Sequence, residues 1–262
     1  MKKPIRKAVV LAGGSGTRLH PLTHATNKHL LALYNKPVIY HAIDRLVAAG
    51  ITRIMVVTSP THIDSFVRAL GSGEHWKPTT GESQIQISYG IQNKPGGIAQ
   101  GLYIARDYVG DEPVLLYLGD NYIEEDLRPH VRDFEGGAKV FLKEVADPER
   151  FGVAAIDKHG KVTSIEEKPK KPKSNLAVTG VYLFDETVFD KMADQKPSAR
   201  GEYEITYINN KYLKEGTLRA VTMRGYWRDI GTVESLLEVA NHLHKKQAKA
   251  PKKKPAKARK KK

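Results

Sequence analysis

The chain has 262 residues, 40% of them hydrophobic, with 43 Lys and Arg against 29 Asp and Glu and no cysteine. That composition suits one sizeable core and excludes disulfides and thiol chemistry, and no run of about 18 apolar residues predicts a membrane span. The net charge of +14 points to polyanions until it is located: eleven of the basic residues and no acid fall in residues 245–262, which leaves +3 for residues 1–244.

The first expected strand, Lys7-Ala8-Val9-Val10-Leu11, runs into Ala12-Gly13-Gly14-Ser15-Gly16-Thr17-Arg18. A strand that ends in bare glycine backbone offers N–H groups that wrap a phosphate. Arg18 and Lys28 add two positive charges beside the loop. It is not a Walker A loop, because Gly16 is followed by Thr17 and Arg18 rather than Lys-Ser/Thr. Nor is it the dinucleotide G-x-G-x-x-G, since Leu19 stands where the third glycine belongs. A tight turn with a solvated arginine is the plain alternative.

Helices are expected over 37–49 and 61–70, closed by Gly50 and Gly71, and over 99–108. Strands are expected over 51–58, 84–89 and 113–118, the last ending at Gly119-Asp120. This alternation predicts an α/β fold with a doubly wound, mostly parallel sheet. Ligands of such sheets lie beyond the carboxyl ends of the strands, so the glycine loop and Asp120 are expected to share one site. The second half changes character, with strands over 139–145, 153–156, 162–165, 177–184 and 218–223. Asp157-Lys158-His159-Gly160 reads as a hairpin turn. Helices follow near 187–192, over 204–213 and from Val233 to about His244. This half reads as a smaller β extension of the same sheet. Residues 1–244 are expected to form the domain and 245–262 a disordered Lys/Ala/Pro tail. The tail is a solubilising segment or one that contacts nucleic acid or an anionic surface. The first residues, Met1-Lys2-Lys3-Pro4, lead into a strand rather than an apolar leader, and with the missing cysteines this suggests the cytoplasm.

The glycine loop, continued as His20-Pro21-Leu22-Thr23 and closed by Lys28, resembles the sugar-1-phosphate nucleotidyltransferases. The likeness continues in order through Gly97-Ile98-Ala99-Gln100, Leu118-Gly119-Asp120-Asn121, Asp147 to Gly152, Glu166-Glu167-Lys168-Pro169, Val178-Thr179-Gly180, Arg200-Gly201-Glu202 and Trp227 to Thr232. It implies a Rossmann-like nucleotidyltransferase fold with a sugar-binding extension. It also implies Mg²⁺-dependent transfer from dTTP to glucose 1-phosphate. UTP is the nearest alternative donor, and a catalytically silent nucleotide-sugar sensor is the alternative from another class.

By the same resemblance Arg18, Lys28 and Lys168 are catalytic. Leu11, Gly13, Gly14, Gly16, Thr17, Gln92 and Gly97 bind the nucleotide, while Asn121, Gly152, Glu167 and Val178 bind the sugar. Asp120 and Asp229 are the expected Mg²⁺ ligands, since magnesium is often held by one or two carboxylates plus substrate phosphates. Each aspartate alone also reads as a strand-end cap or salt-bridge partner, and Lys168 alone as a surface charge. Asn27, His29, Ala32 and Tyr207 depart from the family pattern, which leaves nucleotide and sugar preference open. The resemblance is compatible with a homo-oligomer and does not specify one.

Overall fold

The computed structural model describes residues 3–78 and 84–249. In chain order the elements are β1 (Lys7–Leu11), β2 (Ala32–Leu33), β3 (Lys36–Pro37), α1 (Val38–Ala48), β4 (Arg53–Thr58), α2 (Ile63–Leu70), β5 (Gln86–Ile91), α3 (Ile98–Ile104), α4 (Arg106–Val109) and β6 (Val114–Leu118). Then follow β7 (Asn121–Ile123), α5 (Arg128–Arg132), β8 (Ala138–Glu144), β9 (Gly152–Ile156), β10 (Val162–Glu167), β11 (Leu176–Phe184), α6 (Ile205–Lys214), β12 (Leu218–Thr222), β13 (Trp227–Asp229) and α7 (Val233–Lys249). No described helix is long and apolar enough to cross a membrane.

One central sheet runs β10-β9-β11-β6-β1-β4-β5, with β8 on the other edge of β11 and β12 beyond β8. The strands β6, β1, β4 and β5 are parallel, in register Leu118–Leu11–Val57–Gly90. From β11 onward the pairing turns antiparallel, except for β12 on β8. The extension is therefore continuous with the parallel half. β11 makes the join: Val181–Phe184 pair with β6, and Ala177–Val178 with β9.

Side-chain alternation along the strands fills two layers. Ala8 and Val10 face a core shared with Ile39, Ile43 and Leu46 of α1 and Phe66 and Leu70 of α2. Val9 faces the other core, with Leu102 of α3, Val109 of α4 and Ile205, Ile208 and Tyr212 of α6. Burying such side chains stabilises the fold by roughly 1.5–3 kcal/mol each. Gly50 closes α1 at φ +87° and Gly71 closes α2 at φ +57°, conformations that an L side chain resists.

Several expectations change in detail. The helix over 99–108 breaks at Ala105, whose φ/ψ of −88°/8° leaves the helical range, giving α3 and α4. The helix near 187–192 is two 3₁₀ turns, Glu186–Val188 and Asp190–Met192, the first capped by Asp185 through the Thr187 N–H. The last helix passes 244 and runs to Lys249, held there by the Lys246 ammonium, which donates to Glu124 at 2.8 Å. The rest of the basic segment, 250–262, lies outside the described residues. Four short strands were not expected: β2 pairs with β3, and β7 and β13 form an antiparallel ribbon apart from the main sheet, with Asn121 opposite Asp229. It packs under α7 through Tyr122, Ile230, Val239 and Leu243.

Asp185 ties the extension together. Its carboxylate accepts from the Gly137 N–H at 2.7 Å, the Thr187 hydroxyl at 2.7 Å and the Tyr212 hydroxyl at 2.7 Å. With the Thr187 N–H, truncation strands four donors in a half-buried place. Asp185→Ala is expected to cost roughly 3 kcal/mol, read as a lower urea midpoint at unchanged m-value; a change below about 0.5 kcal/mol would contradict this role.

Candidate active site

The glycine turn leaves the carboxyl end of β1 over an open cleft lined by Leu11, Gly13, Gly14, Lys28, Gln92, Gly97 and Asp120. A Cβ on Gly13 would lie 2.9 Å from the Gln92 Oε1, and one on Gly14 3.3 Å from the Lys28 Cε. The missing side chains are what allow these two residues to close over the loop. Gly16 turns the chain at φ +66°, and Thr23 donates to its carbonyl at 2.8 Å. Thr17 and Arg18 follow in a 3₁₀ turn anchored by fully buried Leu19, which leaves Arg18 exposed at the rim.

Lys28 opens a second 3₁₀ turn, capped by Asn27, whose Oδ1 accepts from the His29 N–H at 2.9 Å. The same oxygen takes the His29 Nδ1–H at 2.6 Å. His29 is buried, and burial together with the Lys28 charge pushes its imidazole down to about 3. It is therefore neutral, with its ring against Gly119, where a Cβ would meet the His29 Cδ2 at 2.9 Å. The two departures from the family pattern thus cooperate to seat Lys28.

The Lys28 ammonium pairs with the Asp120 carboxylate. Burial acts to raise Asp120, but the Lys28 charge and hydrogen bonds from Lys28 and Asn121 outweigh it and hold the carboxyl at about 2. Asn121 is buried and committed: its Nδ2 donates to Asp120 at 2.9 Å, and its Oδ1 accepts from the Trp227 Nε1–H at 2.7 Å and the Gly180 N–H at 3.3 Å. Asn121 therefore orients Asp120.

The ribbon brings Asp229 alongside, since the Ile230 N–H donates to the Asp120 carbonyl at 2.7 Å. A Cβ on Gly231 would lie 2.9 Å from both an Arg18 nitrogen and the Asp229 Oδ2, so both groups flank that glycine. Burial and then the Asp120 charge push the Asp229 carboxyl upward, against the pull of Arg150, Arg18 and Arg228. Arg150 reaches Asp229 at 3.5 Å, but the Asp229 Oδ1 is buried with no hydrogen-bond partner among the described residues. Two carboxylates, one with a stranded buried oxygen, fit a hard divalent cation. No group of three or more His, Cys, Asp or Glu side chains among the described residues forms a closed metal cage. The remaining ligands would come from water or a bound anion, the usual arrangement for magnesium.

On the far side, Gly152 pairs with Glu167 across β9–β10 and with Val178 across β9–β11. A Cβ on Gly152 would lie 3.3 Å from the Glu167 Oε2 and 3.7 Å from the Val178 Cβ. Gly152, Glu167 and Val178 therefore come together as one patch. Lys168 leaves it exposed, at φ +42°, its N–H bonded to the Phe151 carbonyl at 2.9 Å. That left-handed conformation is unusual for a lysine before proline. Sequence reasoning missed two members of this patch. Thr206 of α6 donates to the Glu167 Oε2 at 2.6 Å, and Arg200 pairs with the Glu167 Oε1 at 3.4 Å and with Glu202 at 2.6 Å. Only the Arg200-Gly201-Glu202 motif hinted at the second. Gly97, at φ +96°, lies so near Tyr203 that a Cβ would sit 2.6 Å from its carbonyl oxygen, so the 202–203 segment closes one wall of the cleft.

His41 is also buried; burial and then the Lys36 charge lower it to about 4. Both histidines stay neutral in the folded chain at pH values where the unfolded chain protonates them near 6.5. The unfolded state then binds more protons, so stability falls as pH drops below about 6.5. Between pH 6.5 and 5, above the usual carboxylate range, each contributes a slope approaching about 1.4 kcal/mol per pH unit. Urea unfolding across this window is expected to show the decline, with a shallower one in His29→Gln. An equal slope in the variant would contradict the burial of a neutral His29.

The family model described as nucleotidyl transferase matches residues 7–246. A glucose-1-phosphate thymidylyltransferase of Xanthomonas campestris pv. campestris is 46% identical over 244 residues, 91% of this chain and 80% of the relative. The enzyme of that name from Mycolicibacterium smegmatis is 44% identical, over 90% of this chain and 82% of the relative. A Bacillus anthracis crystal structure assigned as a glucose-1-phosphate thymidylyltransferase, in complex with a sucrose, superposes with a TM-score of 0.83 at 48% identity, covering 90% of this chain and 94% of the other. A UDP-glucose pyrophosphorylase complexed with UDP-glucose gives a TM-score of 0.79 at 25% identity, covering 92% and 99%.

Proposed function

The chain belongs to the nucleotidyl transferase family, and on that premise we propose that it makes dTDP-glucose and pyrophosphate from dTTP and glucose 1-phosphate. The observation that carries this reading is the convergence of Lys28, Asp120, Asp229 and Arg18 beside the glycine turn. Cations there offset the repulsion between two phosphate-bearing substrates, and two carboxylates suit the counter-ion of a triphosphate.

In this reaction a phosphate oxygen of the sugar attacks the α-phosphorus of dTTP. The bond from that phosphorus to the bridging oxygen breaks, and pyrophosphate leaves with the electron pair. The nucleophile is already ionised at neutral pH, so no general base is needed and catalysis rests on position and charge. Arg18 takes the β- and γ-phosphates, where its planar fork matches paired oxygens. Lys28 neutralises charge nearer the α-phosphate. Backbone at Gly13, Gly14, Gly16 and Thr17 lines the triphosphate, and Leu11, Gln92 and Gly97 receive the base. Gly152, Glu167 and Val178 hold the glucose and Lys168 its phosphate. Asn121 supports the sugar side through Asp120. Asp120 and Asp229 would hold Mg²⁺, which when bound adds positive charge against the triphosphate oxygens.

Pyrophosphate release with glucose 1-phosphate and Mg²⁺ is expected with dTTP, less with UTP and negligibly with CTP, GTP and ATP. Release with none of the five would refute the reading. Asp120→Asn, Asp229→Asn and Arg18→Ala are each expected to lower kcat by about 10²–10³. Exposed Arg18→Ala should leave the unfolding midpoint within about 0.5 kcal/mol of the parent. Near-normal kcat in either aspartate variant would remove the metal assignment.

A further inference from the structure

The reading above gives Gln92 to the base, yet a glutamine amide presents an acceptor or a donor depending on which way round it sits. In this chain that orientation is set from behind. The Gln92 Nε2 donates to the Gln100 Oε1 at 2.9 Å, and the Gly97 carbonyl lies on the same side at 3.5 Å. The backbone carbonyl cannot reverse, so both neighbours act as acceptors. Gln100, in the first turn of α3, reaches back under Gly96, where a Cβ would collide with its amide. The opposite end of Gln92, Oε1, lies over Gly13 in the cleft and accepts no hydrogen bond among the described residues.

We propose that Gln100 is a specificity-determining residue that locks the Gln92 amide with its oxygen toward the base, so that the site selects pyrimidines carrying an N3–H. Thymine and uracil have that donor. Cytosine has a bare N3 acceptor, which meets the Gln92 oxygen lone pair to lone pair. This rests on the nucleotidyl-transfer reading and adds how the base is chosen. It treats thymine and uracil alike, since they differ by a methyl group and not in hydrogen bonding. Gln100 does not touch the nucleotide and acts only through Gln92.

The test is a pair of substitutions with opposite chemistry. Gln100→Glu keeps an acceptor behind Gln92, whereas Gln100→Lys offers only donors and turns the Gln92 oxygen away from the base. The ratio of kcat/KM for dTTP over CTP is measured with glucose 1-phosphate. In parallel, dTDP and CDP binding is measured by calorimetry without turnover. Gln100→Glu is expected to keep both ratios within about threefold of the parent, and Gln100→Lys to lower both at least about tenfold through weaker thymidine binding. Unchanged ratios in Gln100→Lys, or an equal loss in Gln100→Glu, would overturn the assignment. Failure of the parent to release pyrophosphate from any pyrimidine triphosphate would instead refute the transfer reading, and the diphosphate affinities would still decide whether Gln100 sets base preference.

Discussion

A lysine and an aspartate held side by side at the carboxyl ends of two adjacent parallel strands are the constraint around which this molecule is organised. Neither Lys28 nor Asp120 is well solvated, and a buried charge without its partner costs several kcal/mol. The fold meets that cost with shape. Asn27 and neutral His29 seat the Lys28 turn, Gly119 lets the imidazole approach the end of β6, and Asn121 supplies the second hydrogen bond to Asp120. Asp229, introduced by the β7–β13 ribbon, adds a second negative charge whose Oδ1 has no hydrogen-bond partner among the described residues. Cations and carboxylates thus stand side by side with one carboxylate oxygen unused, an arrangement that suits a polyphosphate with its counter-ion.

The antiparallel extension is joined to the parallel half through β11: Val181–Phe184 complete the sheet beside β6, while Ala177–Val178 pass to β9 and frame the Gly152–Glu167 patch. Arg200 lies between the two halves, pairing with Glu167 on one side and with Glu202, a residue of the nucleotide cleft, on the other. One short charged segment thus borders both the cleft beside the glycine turn and the Gly152–Glu167 patch.

Much of this was legible in the residues. A strand ending in glycines, a lysine in the loop that follows and an aspartate after an apolar run were expected to share one site, and they line one cleft, while Gly50 and Gly71 mark helix ends for a steric reason. What the sequence hid is non-local or too short to carry a period. Three-residue strands such as Asn121–Ile123 and Trp227–Asp229 have no readable alternation, so the residues did not announce the ribbon that carries Asp229. Thr206 reaches Glu167 only because α6 packs over β10, and no spacing announces that contact. The structure also refines the role of Asn121, whose amide is engaged by Trp227, Gly180 and Asp120 together.

The proposed reaction is a single direct displacement at the α-phosphorus, with the sugar phosphate itself as nucleophile and the protein supplying position and charge. The stereochemical course of the reaction tests it most directly. One diastereomer of the α-thio analogue of dTTP is turned over with glucose 1-phosphate, and the configuration at phosphorus in the product is determined by ³¹P NMR. Inversion is the predicted result. Retention would mean two displacements and a covalent nucleotidyl-enzyme intermediate, and would contradict the account.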